Sequence, residues 1–166
     1  MIRIRPAELS DASRIAEIYN DAILHGTATF DTEVKTIEER VSWLSDHVRN
    51  NLPVLVSESD GFVTGFAALN QWSPRKAYDT TAEVSLYMDA AYRGSGTGKL
   101  LFEQIVLSAQ SVGLHCLVGR ITQGNTVSIA LSEQLGFSHI GIMREAGKKF
   151  GKFLDVHLMQ RIIGDQ

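Results

Sequence analysis

A glycine-rich segment in the second half of the chain is the feature best suited to chemistry. It consists of Tyr92, Arg93, Gly94, Ser95, Gly96, Thr97, Gly98 and Lys99, between a predicted strand and a predicted helix. Glycines let the backbone curl so that several N–H groups point inward, and the start of a helix adds partial positive charge. This combination predicts a site for a phosphate group.

Two common phosphate-binding motifs do not fit this segment. A P-loop needs glycine where Arg93 stands and serine or threonine where Leu100 stands. A dinucleotide fingerprint needs a further glycine where Lys99 or Leu101 stands. The pattern Arg/Gln-x-x-Gly-x-Gly/Ala does fit, beginning at Arg93. Taken alone, the segment could also be a glycine-rich turn that binds nothing.

The predicted strand just before this turn, residues 80–88, alternates cleanly between apolar and polar side chains. The apolar row is Ala82, Val84, Leu86 and Met88, and the other row is Glu83, Ser85 and Tyr87. Beneath covering helices, a polar row must find partners or line a cleft. A solvated Glu83 on an exposed edge is the alternative. The nearby phosphate-binding turn favours the cleft, with Glu83 as a candidate general base.

The elements that must position these residues alternate between strands and helices. We predict strands at 2–5, 53–59, 62–70, 80–88, 115–121, 137–143 and 154–162, and four helices: one capped by Ser10, one opened by a capping box at 36–39, one at 98–112 and one capped by Asn125. Their order predicts an α/β protein. Its mixed, mostly antiparallel sheet of about six to seven strands would have about four helices on both faces.

Composition limits the alternatives further. The chain of 166 residues has no internal repeat or long linker, so we expect residues 1–166 to form one domain. A net charge of −3 without a basic run argues against a nucleic-acid partner. No apolar stretch approaches the roughly 20 residues that span a bilayer, and residues 1–6 do not have the apolar core expected of a signal peptide. The single cysteine, Cys116, and the absence of metal-ligand spacing predict a metal-free protein of the reducing cytoplasm.

With these residues in place, the chain resembles the GNAT superfamily of N-acetyltransferases, and more closely its phosphinothricin and methionine sulfoximine acetyltransferase branch. The pattern beginning at Arg93 matches the superfamily motif that holds the pyrophosphate of acetyl-CoA. Further matches to the branch run in order along nearly the whole chain, at 18–22, 29–33, 53–56, 65–67, 72–75, 77–79, 81–83, 125–137, 149–151, 154–156 and 159–160.

The resemblance implies a GNAT fold, acetyl-CoA as co-substrate and a small amino-acid-like amine as acceptor, in an enzyme of detoxification or metabolism. Glu83 would be the general base, Leu86, Tyr87 and Met88 would hold the acetyl and pantetheine part, and residues 93–99 and Asn125 the rest of the cofactor. Phe30, Arg75 and Tyr78 would line the acceptor pocket beside Glu83 and Ser85, although Tyr78 could equally be core packing. Members of this branch are commonly homodimers.

The reaction needs a base because the acceptor amine is mostly protonated at neutral pH, and it needs a fixed donor for the developing oxyanion. A backbone N–H near Leu86 or Tyr87 can be that donor. We expect direct transfer, because Cys116 is expected to be buried and no other residue suggests a covalent acetyl carrier.

Three departures from the branch pattern stand out. Ser132 stands where Tyr or His often follows the leucine and can protonate the leaving thiolate, so either Ser132 or a water would serve. Ser73 stands where Arg or Lys is frequent, and Lys152-Phe153 where Arg-Trp is frequent. Two alternatives therefore stay open: a non-catalytic acyl-CoA-binding sensor, and an enzyme that acetylates protein N-termini or lysines.

Two features of the second predicted helix are expected to be structural rather than functional. The cluster Glu38-Glu39-Arg40 is expected to be a solvated helix face, and Trp43 to be core packing.

Overall fold

The computed structural model describes residues 1–163, so the last three residues of the expected domain lie outside it. Its strands are β1 (Ile2–Pro6), β2 (Val54–Ser59), β3 (Phe62–Gln71), β4 (Thr81–Met88), β5 (Cys116–Thr122), β6 (Ser138–Lys149) and β7 (Lys152–Ile162). Its helices are α1 (Ala12–His25), α2 (Ile37–Arg49), α3 (Thr97–Ser111) and α4 (Thr126–Gln134), with short 3₁₀ turns at Leu9–Asp11, Lys76–Tyr78 and Ala90–Tyr92. The predicted element order is confirmed.

The seven strands form one sheet in the order β1-β2-β3-β4-β5-β7-β6. β4 and β5 are parallel, and the other neighbouring pairs are antiparallel. The register between β4 and β5 covers Thr81–Glu83 against Cys116–Val118, whereas β4 pairs with β3 as far as Met88. The sheet is therefore continuous on one side of β4 and opens on the other side after Glu83.

Helices cover both faces of the sheet, as predicted. On one face, Leu101 and Ile105 of α3 pack with Leu69, Ala82 and Leu117 of the sheet. On the other face, residues of α1 and α2 pack with Val56, Phe66 and Ala68. The alternation along β4 is confirmed, because Val84, Leu86 and Met88 pack against the first cluster and Tyr87 against the second.

The helix starts follow local capping chemistry. Thr36 Oγ1 accepts from the Glu39 N–H at 3.1 Å, and the Glu39 carboxylate accepts from the Thr36 N–H at 2.7 Å, which confirms the predicted capping box. The prediction that Ser10 caps the first helix is wrong. Ser10 lies inside the Leu9–Asp11 turn, where the Asp11 carboxylate accepts from the Glu8 N–H at 2.8 Å, and the helix begins at Ala12 with Asp11 as its N-cap.

Candidate active site

Two cavities lie on either side of the opened part of β4. The first, which we call the gap cavity, has a volume of about 360 Å³ and lies between β4, β5 and α4. The second, which we call the α1–α2 cavity, has a volume of about 390 Å³ and is lined by α1, the following loop, α2 and β4. Glu83, Ser85, Tyr87 and Arg120 line both cavities, so the two meet at these side chains.

The opened edge of β4 presents backbone donors to the gap. The Asp89 N–H donates to the Thr64 carbonyl at 2.9 Å, on the β3 side. Successive N–H groups of a strand point to opposite sides, so those of Leu86 and Met88 point away from β3. Beyond Glu83 that side faces the gap. Of the two predicted donors, Leu86 rather than Tyr87 therefore has its N–H directed into the gap.

Glu83 is held by an arginine from the neighbouring strand. Arg120 Nη2 lies 2.8 Å from Glu83 Oε1, and Arg120 Nε donates to Glu83 Oε2. The hydrogen bond to Glu83 raises the pKa of Arg120, so the guanidinium stays charged. Its Cζ also lies 5.4 Å from the centre of the Trp72 ring. The pair fixes the carboxylate, whose side chain is 19% exposed, where the two cavities meet.

The side chain of Asn70 also helps to hold β4 in place around Glu83. Its Nδ2 donates to the Glu83 carbonyl at 3.3 Å and to Ser85 Oγ at 3.0 Å. Neither Asn70 nor Arg120 was among the predicted site residues. Both become recognisable once the strand pairing is known, because Asn70 is the registered partner of Glu83 on β3 and Arg120 lies on the strand that neighbours β4 on its other side.

The glycine-rich turn has the backbone shape that the sequence predicted. Gly94 and Gly96 have φ angles of 75° and 85°, a left-handed conformation that favours glycine. Gly96 is the N-cap of α3, whose first N–H groups lack partners within the helix. Thr97 is buried, and its Oγ1 lies 2.8 Å from Ser95 Oγ. Arg93 donates to the Met88 carbonyl at 3.2 Å, which ties the turn to the end of β4.

The start of α4 forms the opposite wall of the gap cavity. Asn125 Oδ1 accepts from the Ser128 N–H at 3.2 Å, which confirms that Asn125 caps the helix. Ser132 is 4% exposed, and its Oγ donates to the Ser128 carbonyl at 2.8 Å. The hydroxyl proton of Ser132 is therefore engaged within the helix.

The predicted acceptor residues do not all meet. Phe30 lines the gap cavity, with its ring against Gly147 of β6. Arg75 and Tyr78 lie at an exposed 3₁₀ turn and line neither cavity. Lys149, buried beside the loop, donates from Nζ to the Thr29 carbonyl at 2.8 Å, and burial lowers the pKa of its ammonium group.

The α1–α2 cavity contains residues that the sequence analysis missed. Tyr19 OH donates to Asp31 and lies 3.0 Å from Thr29 Oγ1, and burial together with Asp31 raises the pKa of Tyr19 to about 12. Arg40 was expected on a solvated face, but it is 9% exposed. Its guanidinium lies 4.9 Å from the centre of the Tyr19 ring of α1 and 4.8 Å from that of Trp43, three residues further along α2. Trp43 packs against the second core cluster and also lines this cavity.

The described part of the chain contains neither a metal-binding cluster nor a membrane-spanning helix. Within residues 1–163, no group of three or more His, Cys, Asp or Glu side chains could hold a metal ion. In the same range, no helix is long and apolar enough to cross a membrane.

Comparison with known proteins identifies the family. Residues 4–158 match the family model described as the acetyltransferase (GNAT) domain. The L-methionine sulfoximine/L-methionine sulfone acetyltransferase of Salmonella typhimurium is 36% identical over 157 residues, covering 95% of this chain and 92% of that protein. The phosphinothricin N-acetyltransferase of Streptomyces viridochromogenes is 34% identical over 162 residues, covering 96% and 87% respectively.

A solved structure supports the same assignment. The yncA protein of Salmonella typhimurium, solved with its cofactor acetyl-CoA, superposes with a TM-score of 0.98 at 34% identity, covering 100% of this chain and 96% of that one. The chain belongs to the GNAT acetyltransferase family. The predicted fold, the family resemblance and the assignment as an acetyltransferase are thereby confirmed.

Proposed function

We propose that this chain transfers the acetyl group of acetyl-CoA to the amino group of a small amino-acid-like acceptor of the methionine sulfoximine, methionine sulfone or phosphinothricin type. We also propose that residues 1–166 form one such domain and that it works in the cytoplasm. The observation that carries the proposal is the position of Glu83, whose fixed carboxylate lies where the gap cavity and the α1–α2 cavity meet.

The residues around the gap fit acetyl-CoA. When bound, acetyl-CoA supplies an acetyl group activated as a thioester. The backbone N–H groups of Leu86 and Met88 face the gap and would bind the carbonyl and pantetheine oxygens, beside Tyr87. The left-handed glycines and the start of α3 would bind the pyrophosphate between Arg93 and Lys99, with Gly98 allowing close approach. Asn125 would contact the cofactor from α4.

Glu83 would act as general base towards the acceptor amine, either directly or through a water molecule. Because both carboxylate oxygens contact Arg120, the amine would approach an oxygen whose orientation is already set. Ser132 Oγ donates to a backbone carbonyl, which supports water as the proton source for the departing thiolate.

Direct transfer without an acetylated enzyme intermediate is part of the proposal. Cys116 is half-buried, accepts from Gln160 Nε2 at 3.3 Å and lines neither cavity. We expect the intact mass of the protein to stay unchanged after incubation with acetyl-CoA alone. Adding methionine sulfoximine should yield its N-acetyl product. A stably acetylated protein that passes its acetyl group to the acceptor would contradict direct transfer.

The loop between α1 and α2 supports a small acceptor rather than a peptide. Thr122 Oγ1 donates to the Thr27 carbonyl at 2.6 Å, and Lys149 Nζ binds the Thr29 carbonyl, so the loop is tied to β5 and β6. Phe30 lies against Gly147 in the same place. Arg75 and Tyr78 remain proposed acceptor residues, and their exposed turn would have to approach Glu83 for them to serve.

We further propose that the protein is a homodimer. Ile140, Ile142, Phe150 and Phe153 are exposed large apolar side chains on β6, β7 and the turn between them. Several exposed apolar side chains on one hairpin are typical of a protein–protein contact. Sedimentation at micromolar concentration should give twice the chain mass, and Phe153→Lys should shift the protein towards the chain mass. A monomer in both samples would contradict the proposal.

A further inference from the structure

The charges lining the α1–α2 cavity do not balance. The cations are Lys35, Arg40 and Arg120, and the carboxylates are Asp31 and Glu83. Glu83 is paired with Arg120, and Asp31 accepts from Tyr19 OH and lies 4.0 Å from Lys35 Nζ. Within residues 1–163, Arg40 has no carboxylate oxygen within 4.0 Å of its guanidinium. The cavity therefore carries one cation without a direct carboxylate partner, although Asp31 and Glu39 act on it at longer range.

Arg40 is also unusually buried for an unpaired charge. Its side chain is 9% exposed overall, and its Nε is completely buried and has no hydrogen-bond partner among the described residues. The Cζ atom of the guanidinium lies over the rings of Tyr19 and Trp43. Burying a charged group without a partner costs free energy, so such groups are normally paired or bound to a ligand.

We propose that Arg40 binds an oxyanion of the acceptor in the α1–α2 cavity and thereby places the acceptor amine beside Glu83. This inference rests on the proposed function. The bound group is a carboxylate or a phosphinate, since both present two oxygens that match the paired N–H groups of a guanidinium. Arg75, which the family resemblance places in the acceptor pocket, lies on an exposed turn outside the cavity.

The arrangement around Arg40 suits this task. Two aromatic rings hold the guanidinium in place, so little side-chain freedom is lost when an anion binds. Glu83 lines the same cavity as Arg40. An acceptor with an anionic group and an amino group could therefore contact Arg40 with one and the base with the other.

The test compares acceptors that differ in one charge. Methionine sulfone, phosphinothricin and the amine formally obtained by replacing the methionine sulfone carboxylate with hydrogen are assayed with wild type, Arg40→Lys and Arg40→Met. The control is Arg49→Met, which removes an exposed arginine of the same helix that pairs with Asp46. We expect Arg40→Met to lower kcat/KM for methionine sulfone by about 10- to 100-fold, the range for a charged hydrogen bond. Arg40→Lys should restore part of the loss, and the control should change little.

The amine without a carboxylate separates the loss of an anion contact at Arg40 from general damage to the structure. If Arg40 binds the carboxylate, Arg40→Met should leave kcat/KM for this amine within about twofold of wild type, since the contact is absent in both. If the loss appears with phosphinothricin but not with methionine sulfone, the phosphinate is the bound group. Equal losses for all acceptors, or no loss for any, would overturn the inference.

A binding measurement keeps the inference testable if Arg40→Met does not fold or wild type turns over none of these acceptors. The ¹⁵N-coupled Nε–H resonance of Arg40, assigned by its absence in Arg40→Lys, is followed in CoA-bound wild type. We expect it to move on adding methionine sulfone or phosphinothricin and to stay in place on adding the amine. A moving resonance without turnover would refute the proposed function alone. A resonance that does not respond to either acceptor would refute the role of Arg40.

Discussion

Replacement of Glu83 by glutamine tests the assignment of the general base. The change keeps the shape of the side chain and one oxygen that can accept from Arg120, but it turns the other oxygen into an amide donor facing an N–H group. Because Arg120 is half-exposed, water can satisfy the displaced donor, and we expect a loss of at most about 1 kcal/mol in the free energy of unfolding. The fold and the cofactor side should therefore remain intact.

The effect on turnover should be much larger. General-base catalysis contributes about 10²- to 10⁴-fold to rate, which corresponds to about 3 to 5.5 kcal/mol in the activation barrier. We expect kcat of Glu83→Gln to fall by that factor, while acetyl-CoA affinity stays within about threefold because residues 93–99 and the Leu86 N–H are untouched.

The assay combines three measurements on the same preparations. Release of the CoA thiol gives kcat and KM, calorimetry gives acetyl-CoA affinity, and urea denaturation gives stability. Glu38→Gln is the matched control, since Glu38 is exposed on α2 and lines neither cavity. A loss in kcat below tenfold, or equal losses in kcat and acetyl-CoA affinity, would refute the reasoning.

Three further predictions concern the turn, the fold and the loop. Gly96→Glu and Gly96→Gln share the strain of a side chain at φ 85°, but only glutamate adds negative charge at the start of α3. Calorimetry should show that Gly96→Glu binds CoA at least about tenfold more weakly than Gly96→Gln. Equal affinities of the two variants would contradict a phosphate site. Burial on its own raises the pKa of Asp11, but hydrogen bonds from Arg5 and from a backbone N–H outweigh it and lower the net pKa. The ionised Asp11 therefore contributes to the free energy of unfolding above about pH 4, the pKa of an aspartate in the unfolded chain. This contribution is lost as the pH falls through the lowered pKa of Asp11 in the folded protein. Asp11→Asn should therefore cost about 2 to 4 kcal/mol in urea denaturation at pH 7 and flatten the acid decline, and an unchanged decline would argue against the pair. Gly147→Ala places a Cβ 2.1 Å from the Phe30 ring, so Phe30, which lines the gap cavity, must move. If Phe30 contacts the acceptor where the two cavities meet, acceptor KM should rise more than acetyl-CoA KM, and a rise in acetyl-CoA KM alone would contradict that role.

Local chemistry in the sequence was sufficient to predict much of the fold. The capping box at Thr36 and the cap at Asn125 depend on residues three positions apart, and both are present. The alternation along β4 correctly separated the side chains of the two faces. Ser10 failed as a cap because Asp11, one residue later, is fixed by Arg5 from β1, a contact between elements that local patterns do not reveal.

The site was predicted less completely for the same physical reason. Glu83 was recognised from its place in a polar row before a glycine-rich turn. Arg40 was assigned to solvent because its neighbours Glu38 and Glu39 are charged, and only the packing of α1 against α2 places the Tyr19 ring beside it. Arg120 was missed because its contact with Glu83 depends on the parallel pairing of β4 with β5, which local sequence does not specify.

Release of free CoA thiol from acetyl-CoA tests the central claim most directly. Wild-type protein is offered methionine sulfoximine, methionine sulfone, phosphinothricin, ordinary amino acids, polyamines and a short peptide. The account predicts saturable turnover with at least one of the first three and little with the peptide. Turnover confined to the peptide, or tight acetyl-CoA binding without turnover of any acceptor, would contradict it.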